Sequence, residues 1–203
     1  MTGTDTDVGK TVFAAGLTRF LDGFYWKPVQ AGLDGETDSA VVRRLSGLPA
    51  ERILPEAWSL KTPASPHLAA ERDCVEIDPA VLSLPSVPGP LVVEGAGGLM
   101  VPLTRKILLI ELFAGWGAPV VLCARTGLGT LNHTFLSLEA LRRRGVVVLG
   151  IALIGDLHSD NERTLAEFGG VPVLGRLPRL DPLTPQSLVA AFTDSFRRES
   201  FVS

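Results

Sequence analysis

The stretch Thr4-Asp5-Thr6-Asp7-Val8-Gly9-Lys10-Thr11, near the start of the 203-residue chain, ends in Gly-Lys-Thr and decides the fold. A glycine turn that opens a helix presents backbone N–H groups that can surround the oxygens of a phosphate group. Lys10 adds a positive charge for the β and γ oxygens, and the Thr11 hydroxyl is a ligand for Mg²⁺. On this reading Asp7, Val8, Gly9, Lys10, Thr11 and Val12 hold the phosphates of ATP. Five positions separate Gly3 from Gly9, one more than the usual spacing. A lone Gly-Lys-Thr serves equally as a surface turn that caps a helix, so its surroundings decide. Residues 12–21 carry apolar residues at helical spacing and stop at Asp22-Gly23, so a helix leaves the turn at once. Only Met1 and Thr2 precede Gly3, so the strand that leads into the turn is very short.

Further along, residues 24–26, 91–93, 119–123, 146–154 and 171–175 read as strands of continuous apolar character. Residues 38–45, 107–116, 131–144 and 186–197 read as helices, with a short helix near 79–84. Residues 49–65 are punctuated by proline and read as irregular. Buried strands alternating with amphipathic helices predict a single-domain α/β fold over residues 1–203. It is of the P-loop NTPase-like kind, with a mainly parallel sheet flanked by helices on both faces.

Composition narrows the function classes. With 46% hydrophobic residues, 20% charged residues and a net charge of -3, the chain has no general attraction for nucleic acid or anionic lipid. No signal segment or stretch long enough to span a bilayer is recognisable, which disfavours secretion and membrane insertion. Cys74 and Cys123 fit no metal-ligand spacing, and a reduced, cytoplasmic protein is the simplest reading.

Outside the glycine turn, four places carry chemistry. Lys27 follows the aromatic strand 24–26 and precedes Pro28 and Gly32, which make the next segment a rigid loop. That sets an ammonium at the carboxyl end of a strand, where open α/β sheets bind ligands; a lone lysine there is otherwise a surface residue lying along apolar neighbours. Glu94 ends the strand 91–93 and leads into Gly95-Ala96-Gly97-Gly98, which suits a Mg²⁺ ligand or a water-orienting group, the alternative being a solvated loop glutamate. Asp38 opens a helix and as a bare residue is more often an N-cap than a metal ligand. Gly129, Thr130, Leu131 and Asn132 open another helix, whose free N–H groups could hold a carboxylate, although Asn132 could equally be a simple cap. His67 lies in irregular chain with no second ligand at useful spacing, so no zinc site is implied.

Together the segments Thr2-Gly3-Thr4-Asp5-Thr6-Asp7-Val8-Gly9-Lys10-Thr11, Tyr25-Trp26-Lys27-Pro28-Val29-Gln30, Ser65-Pro66-His67, Val93-Glu94-Gly95-Ala96-Gly97-Gly98 and Gly129-Thr130-Leu131-Asn132-His133 resemble the dethiobiotin synthetase family in order and spacing across nearly the whole chain. The resemblance implies an ATP- and Mg²⁺-dependent ligase of biotin biosynthesis. One amine of 7,8-diaminononanoate would take up CO₂ to give a carbamate, ATP would phosphorylate it, and the second amine would close the ureido ring. By motif position Lys10, Thr11, Asp38 and Glu94 would hold ATP and Mg²⁺, with Thr11, Asp38 and Glu94 as the metal ligands. Lys27, Lys10 and Thr6 would be catalytic, and Thr6, Lys27, Ala31 and Gly97 would line the substrate site. Gly129, Thr130, Leu131 and Asn132 would bind the substrate carboxylate from the neighbouring subunit of a homodimer. Gly155, Pro178 and Leu180 would lie over the base and ribose.

Two positions depart from the family. Ala31 stands where members often carry a hydroxyl, and Gly155-Asp156 where some carry an Asn that reads adenine. The rival from another class is a ParA-like ATPase switch acting through partner binding. Such proteins carry an earlier lysine in the glycine turn, and residues 4–8 contain none. A cobyrinate-type amidase-ligase would need an added glutaminase domain, for which the chain is too short.

Overall fold

A computed structural model describes residues 1–202. The four-stranded sheet runs β1 (Thr2–Gly3), β7 (Val120–Arg125), β8 (Val148–Ile154), β9 (Val173–Leu177), and a three-stranded sheet runs β4 (Ile53–Leu54), β2 (Phe24–Trp26), β6 (Leu91–Val93). All these pairings are parallel. The sheets meet at β1. The Met1 amino group donates to Val93 O at 2.6 Å, and Gly95 N donates to Met1 O at 3.1 Å. The result is one run of parallel strands, β4-β2-β6-β1-β7-β8-β9, with the glycine turn hanging from the two-residue β1.

Strand alternation explains why both faces of this sheet are covered. Val120, Leu122 and Ala124 of β7 join the apolar cluster that also holds Leu109, Ile110 and Phe113 of α4 (Leu109–Trp116) and Leu138 and Leu141 of α5 (Thr130–Arg143). Val121 and Cys123 point the other way. They join Phe13, Ala14 and Leu17 of α1 (Lys10–Leu21), Val42 and Leu45 of α2 (Asp38–Ser46) and Phe192 of α7 (Pro185–Ser195). α1 follows the glycine turn directly, as its apolar spacing predicts.

Three expectations are corrected. Residues 49–65 are not wholly irregular: they contain β4 and β5 (Trp58–Leu60), and β5 pairs in parallel with β3 (Val29–Ala31). The rigid loop expected after Lys27 is therefore largely strand, held because Pro28 O accepts from Ala57 N and Trp58 N at 3.1 and 3.0 Å. His67 lies not in irregular chain but in the first turn of α3 (Pro66–Arg72), which Pro66 opens, a position that suits proline's fixed φ. Finally, α6 (Ser159–Phe168) has no counterpart in the sequence reading.

Candidate active site

The carboxyl ends of β1, β2 and β6 and the start of α2 bring the predicted residues to one place. Thr11 Oγ1 lies 2.8 Å from Asp38 Oδ1 and 2.9 Å from Glu94 Oε1. Lys27 Nζ lies 2.6 Å from Asp38 Oδ2 and 3.2 Å from Glu94 Oε1, and donates to Gly95 O at 3.2 Å. Lys27 is 4% exposed and Glu94 1%, so neither is the solvated surface group that each could be in isolation. The register makes this inevitable: Tyr25 pairs with Val92 and Trp26 with Val93, so the next residues, Lys27 and Glu94, leave adjacent strands side by side.

Electrostatics fix the charge states. Burial opposes the Lys27 ammonium, but the Glu94 and Asp38 carboxylates outweigh it and raise its pKa above the ordinary lysine value, which favours the ammonium form in the free protein. Burial likewise works against the Asp38 carboxylate, and the nearby Lys27 charge overcomes it and lowers the pKa. Lys10 differs. It is 6% exposed, its Nζ donates to the backbone Asp5 O at 2.9 Å, and burial lowers its pKa. An ammonium held by a carbonyl inside the loop is poised for a stronger anionic partner. Burial pushes the Cys123 thiol up to about 12, so this cysteine of β7 is inert packing.

The glycine turn has the geometry that a phosphate cradle needs. Gly9 adopts φ +94°, and a Cβ there would meet Ile154 Cγ2 at 2.9 Å; Asp7 also sits at φ 56°, in the left-handed region. Val12 follows in α1. Thr6, Asp7, Lys27, Ala31, Asp38 and Gly97 line one cavity of about 490 Å³. A second hollow of about 410 Å³ shares Thr6 and Val101 with it and is walled by Met100, Pro102 and Leu136. The charged end of the site thus continues into an apolar extension.

Gly155, Pro178 and Leu180 lie on the other flank of the turn. Gly155 N donates to Leu177 O at 3.0 Å, and Arg176 Nη1 donates to Gly155 O at 2.9 Å, so β8 and β9 end together beside the Ile154 contact of Gly9. Leu180 packs on the cluster that contains Val8. Gly129, Thr130, Leu131 and Asn132 stand apart: none lines the cavity, and the Thr130 hydroxyl is turned inward to Arg125 O at 2.5 Å. Leu131 is half-buried on the core and Asn132 is exposed.

Three residues that the sequence reading did not single out touch this site. The Tyr25 hydroxyl donates to Glu94 Oε2 at 2.9 Å. The Gln30 side chain accepts from Asp38 N at 3.2 Å and donates to Ala31 O and Gly32 O, tying the end of β3 to the start of α2. Arg125 Nη2 donates to Thr6 O at 2.9 Å. Arg125 could have been found, since it is a cation ending an apolar strand next to the glycine turn. Tyr25 and Gln30 carry no such signal, because both sit inside strands.

Two carboxylates and a hydroxyl converging within hydrogen-bond distance form an all-oxygen donor set, which fits Mg²⁺ shared with phosphate oxygens. Among the described residues no group of three or more His, Cys, Asp or Glu is arranged to hold a metal. Nor is any described helix long and apolar enough to cross a membrane.

A family model described as an AAA domain matches residues 1–187. ATP-dependent dethiobiotin synthetases from Rhodopseudomonas palustris strains HaA2 and BisB18 are 62% and 63% identical to this chain over its full length, covering 95% and 97% of their own. A relative of the same name from Nitrobacter hamburgensis is 61% identical over 100% of this chain and 95% of its own. Among solved structures, a ParA family ATPase from Chlorobium tepidum TLS superposes with a TM-score of 0.53, covering 100% of this chain and 94% of that one. At 11% identity that likeness concerns the fold alone.

Proposed function

This chain belongs to the ATP-dependent dethiobiotin synthetases, ligases of biotin biosynthesis, and from that premise we infer that its cavity closes the ureido ring from 7,8-diaminononanoate and CO₂. The ParA likeness is a distant one of fold, and the reading as a partner-binding switch gives way to the ligase. The observation that carries the finer assignment is the placement of Lys27 Nζ between Asp38 and Glu94, the same two carboxylates that the Thr11 hydroxyl touches.

The N–H groups of residues 7–12 and the Lys10 ammonium hold the triphosphate, with Gly155, Pro178 and Leu180 against the base and ribose. Thr11, Asp38 and Glu94 would hold Mg²⁺, which would supply positive charge against the charge that develops on the phosphates. A neutral amine of the diamine attacks CO₂ and loses a proton, giving a carbamate anion. Lys27 and Thr6 orient this anion, and the fixed Lys27 charge offsets its repulsion from the triphosphate. The carbamate oxygen displaces ADP from the γ-phosphorus to form a carbamic-phosphoric anhydride. The second amine attacks the carbonyl carbon, phosphate leaves and takes up the proton that this amine loses, and the ring closes. Ala31 and Gly97 line the substrate side, and the apolar hollow beyond Thr6 suits the alkyl chain.

Gly129, Thr130, Leu131 and Asn132 bind the substrate carboxylate from the second subunit of a homodimer. Their position outside the chain's own cavity supports this. The chain works as one domain over residues 1–203 in the cytoplasm; its two free cysteines suit a reducing compartment.

Incubation with ATP, Mg²⁺, bicarbonate and the diamine should yield the cyclic urea by mass analysis. Phosphate release without the urea would refute the substrate assignment. Mixing Lys27→Ala with Asn132→Ala protein should restore activity that neither has alone, and no recovery would refute the shared site.

A further inference from the structure

The two oxygens of Glu94 have different surroundings. Oε1 faces the Thr11 hydroxyl at 2.9 Å and Lys27 Nζ at 3.2 Å, on the cavity side. Oε2 accepts from the Tyr25 hydroxyl at 2.9 Å. Tyr25 is 0% exposed, packed in the cluster with Phe13, Val42 and Leu45, where a phenylalanine would fill the same apolar volume. Its hydroxyl has one side-chain partner, and that partner is Glu94. A buried tyrosine thus fixes the rotation of the carboxylate and occupies one of its two oxygens.

We propose that the Tyr25 hydroxyl is a positioning group that restricts Glu94 to a single coordinating oxygen, and so favours Mg²⁺ over the larger Ca²⁺ at the nucleotide site. The inference rests on the proposed Mg²⁺ site. Its physical basis is the difference between the two ions. Ca²⁺ takes roughly six to eight oxygens and accepts carboxylates through both of theirs, whereas Mg²⁺ requires an octahedron, which single-oxygen carboxylates suit. With Oε2 held by Tyr25, a two-oxygen grip by Glu94 has to share Oε2 with the hydroxyl or turn the carboxylate away from it, and either weakens a buried hydrogen bond.

The test is calorimetric binding of a methylene-bridged ATP analogue with Mg²⁺ or with Ca²⁺, on the full-length wild type and on Tyr25→Phe. The wild type should prefer the Mg²⁺ complex. In Tyr25→Phe the preference should fall about tenfold, in the range by which outer-shell partners tune metal affinity. An unchanged ratio in a folded variant overturns the proposal. Glu94→Gln separates the two levels of failure. If it leaves binding of both complexes unaltered, Glu94 is no ligand and the metal-site reading falls with the proposal. If it weakens Mg²⁺ binding while Tyr25→Phe keeps the wild-type ratio, only the role of Tyr25 is wrong. Should Tyr25→Phe not fold, the wild type still decides, because the chain contains 1 tyrosine. With isotope-labelled tyrosine, its phenol carbon gives one NMR signal. Ca²⁺ with the analogue should move that signal further than Mg²⁺ does, as Oε2 is drawn from the hydroxyl. Equal shifts overturn the proposal.

Discussion

Replacing Lys27 by methionine leaves an unbranched apolar side chain one atom shorter and removes the ammonium, its charge and its N–H donors together. The ammonium sits 2.6 Å from Asp38 and 3.2 Å from Glu94, whose side chains are 30% and 1% exposed. Removing one member of a buried ion pair costs about 3–5 kcal/mol, and the partial solvent access of Asp38 puts this case near 3 kcal/mol. For a chain of this size that is a drop in melting temperature of about 9 °C. With Mg²⁺ at the same two carboxylates, as proposed, adding it should recover part of the loss. Turnover should suffer separately. Losing one preorganised charge beside a developing anion costs about 10²–10³ in kcat, whereas the proposed roles assign ATP to the glycine turn and Lys10, so its KM should change by less than about threefold. Melting curves with and without Mg²⁺, and steady-state kinetics of urea formation, measure both effects. A variant with normal kcat and only a raised ATP KM would refute the catalytic reasoning; an unchanged melting temperature without Mg²⁺ would refute the ion-pair reasoning.

Other outcomes follow from the same geometry. Ala31→Ser restores a hydroxyl to the wall that also carries Lys27, and one new hydrogen bond of about 1 kcal/mol should lower the diamine KM about fivefold with ATP KM unchanged. Gly97→Ala forces alanine to φ +69° and sets a Cβ 3.2 Å from Thr6 Oγ1, so the urea midpoint should fall by the equivalent of about 1–2 kcal/mol and the diamine KM should rise. Lys10 has a lowered folded pKa, so the unfolded chain binds the proton more tightly. Stability of the free protein should therefore rise with pH between the lowered folded pKa and the unfolded value, as the buried ammonium is discharged. Phosphates restore the charge, so ATP binding at alkaline pH should take up protons. Calorimetry in buffers of different ionisation enthalpy reads this, and zero uptake would contradict it.

Much of the site is legible in the sequence because its members are charged residues set at the ends of apolar runs. Lys27 after β2, Glu94 after β6 and Lys10 after the glycine turn all have that form, and parallel strands bring such ends to one edge. Asp38 is ambiguous as a bare residue, since every helix start invites a carboxylate; the fold makes Thr37 the cap and sets Asp38 2.8 Å from the Thr11 hydroxyl. The hydroxyl of Tyr25 is invisible to sequence reasoning. Its partner lies 69 residues away, and only the register of β2 on β6 brings them together. α6 escapes detection because it buries only Asn161 and Leu165, too few positions to make a periodic stripe. β3 and β5 escape because each is three residues long and stands among prolines that signal loop.

The two-residue strand β1 ties both halves of the site to one hinge. Thr4 N donates to Cys123 O at 3.0 Å and Met1 O accepts from Gly95 N at 3.1 Å, so the loop after β6 and the start of the glycine turn hang from the same few peptide groups. In hydrogen-exchange terms these amides should open as one cooperative unit. Any fluctuation that frees β1 from its neighbours dismantles the phosphate cradle and the carboxylate platform together, and the protection of Thr4 and Gly95 should fall in step.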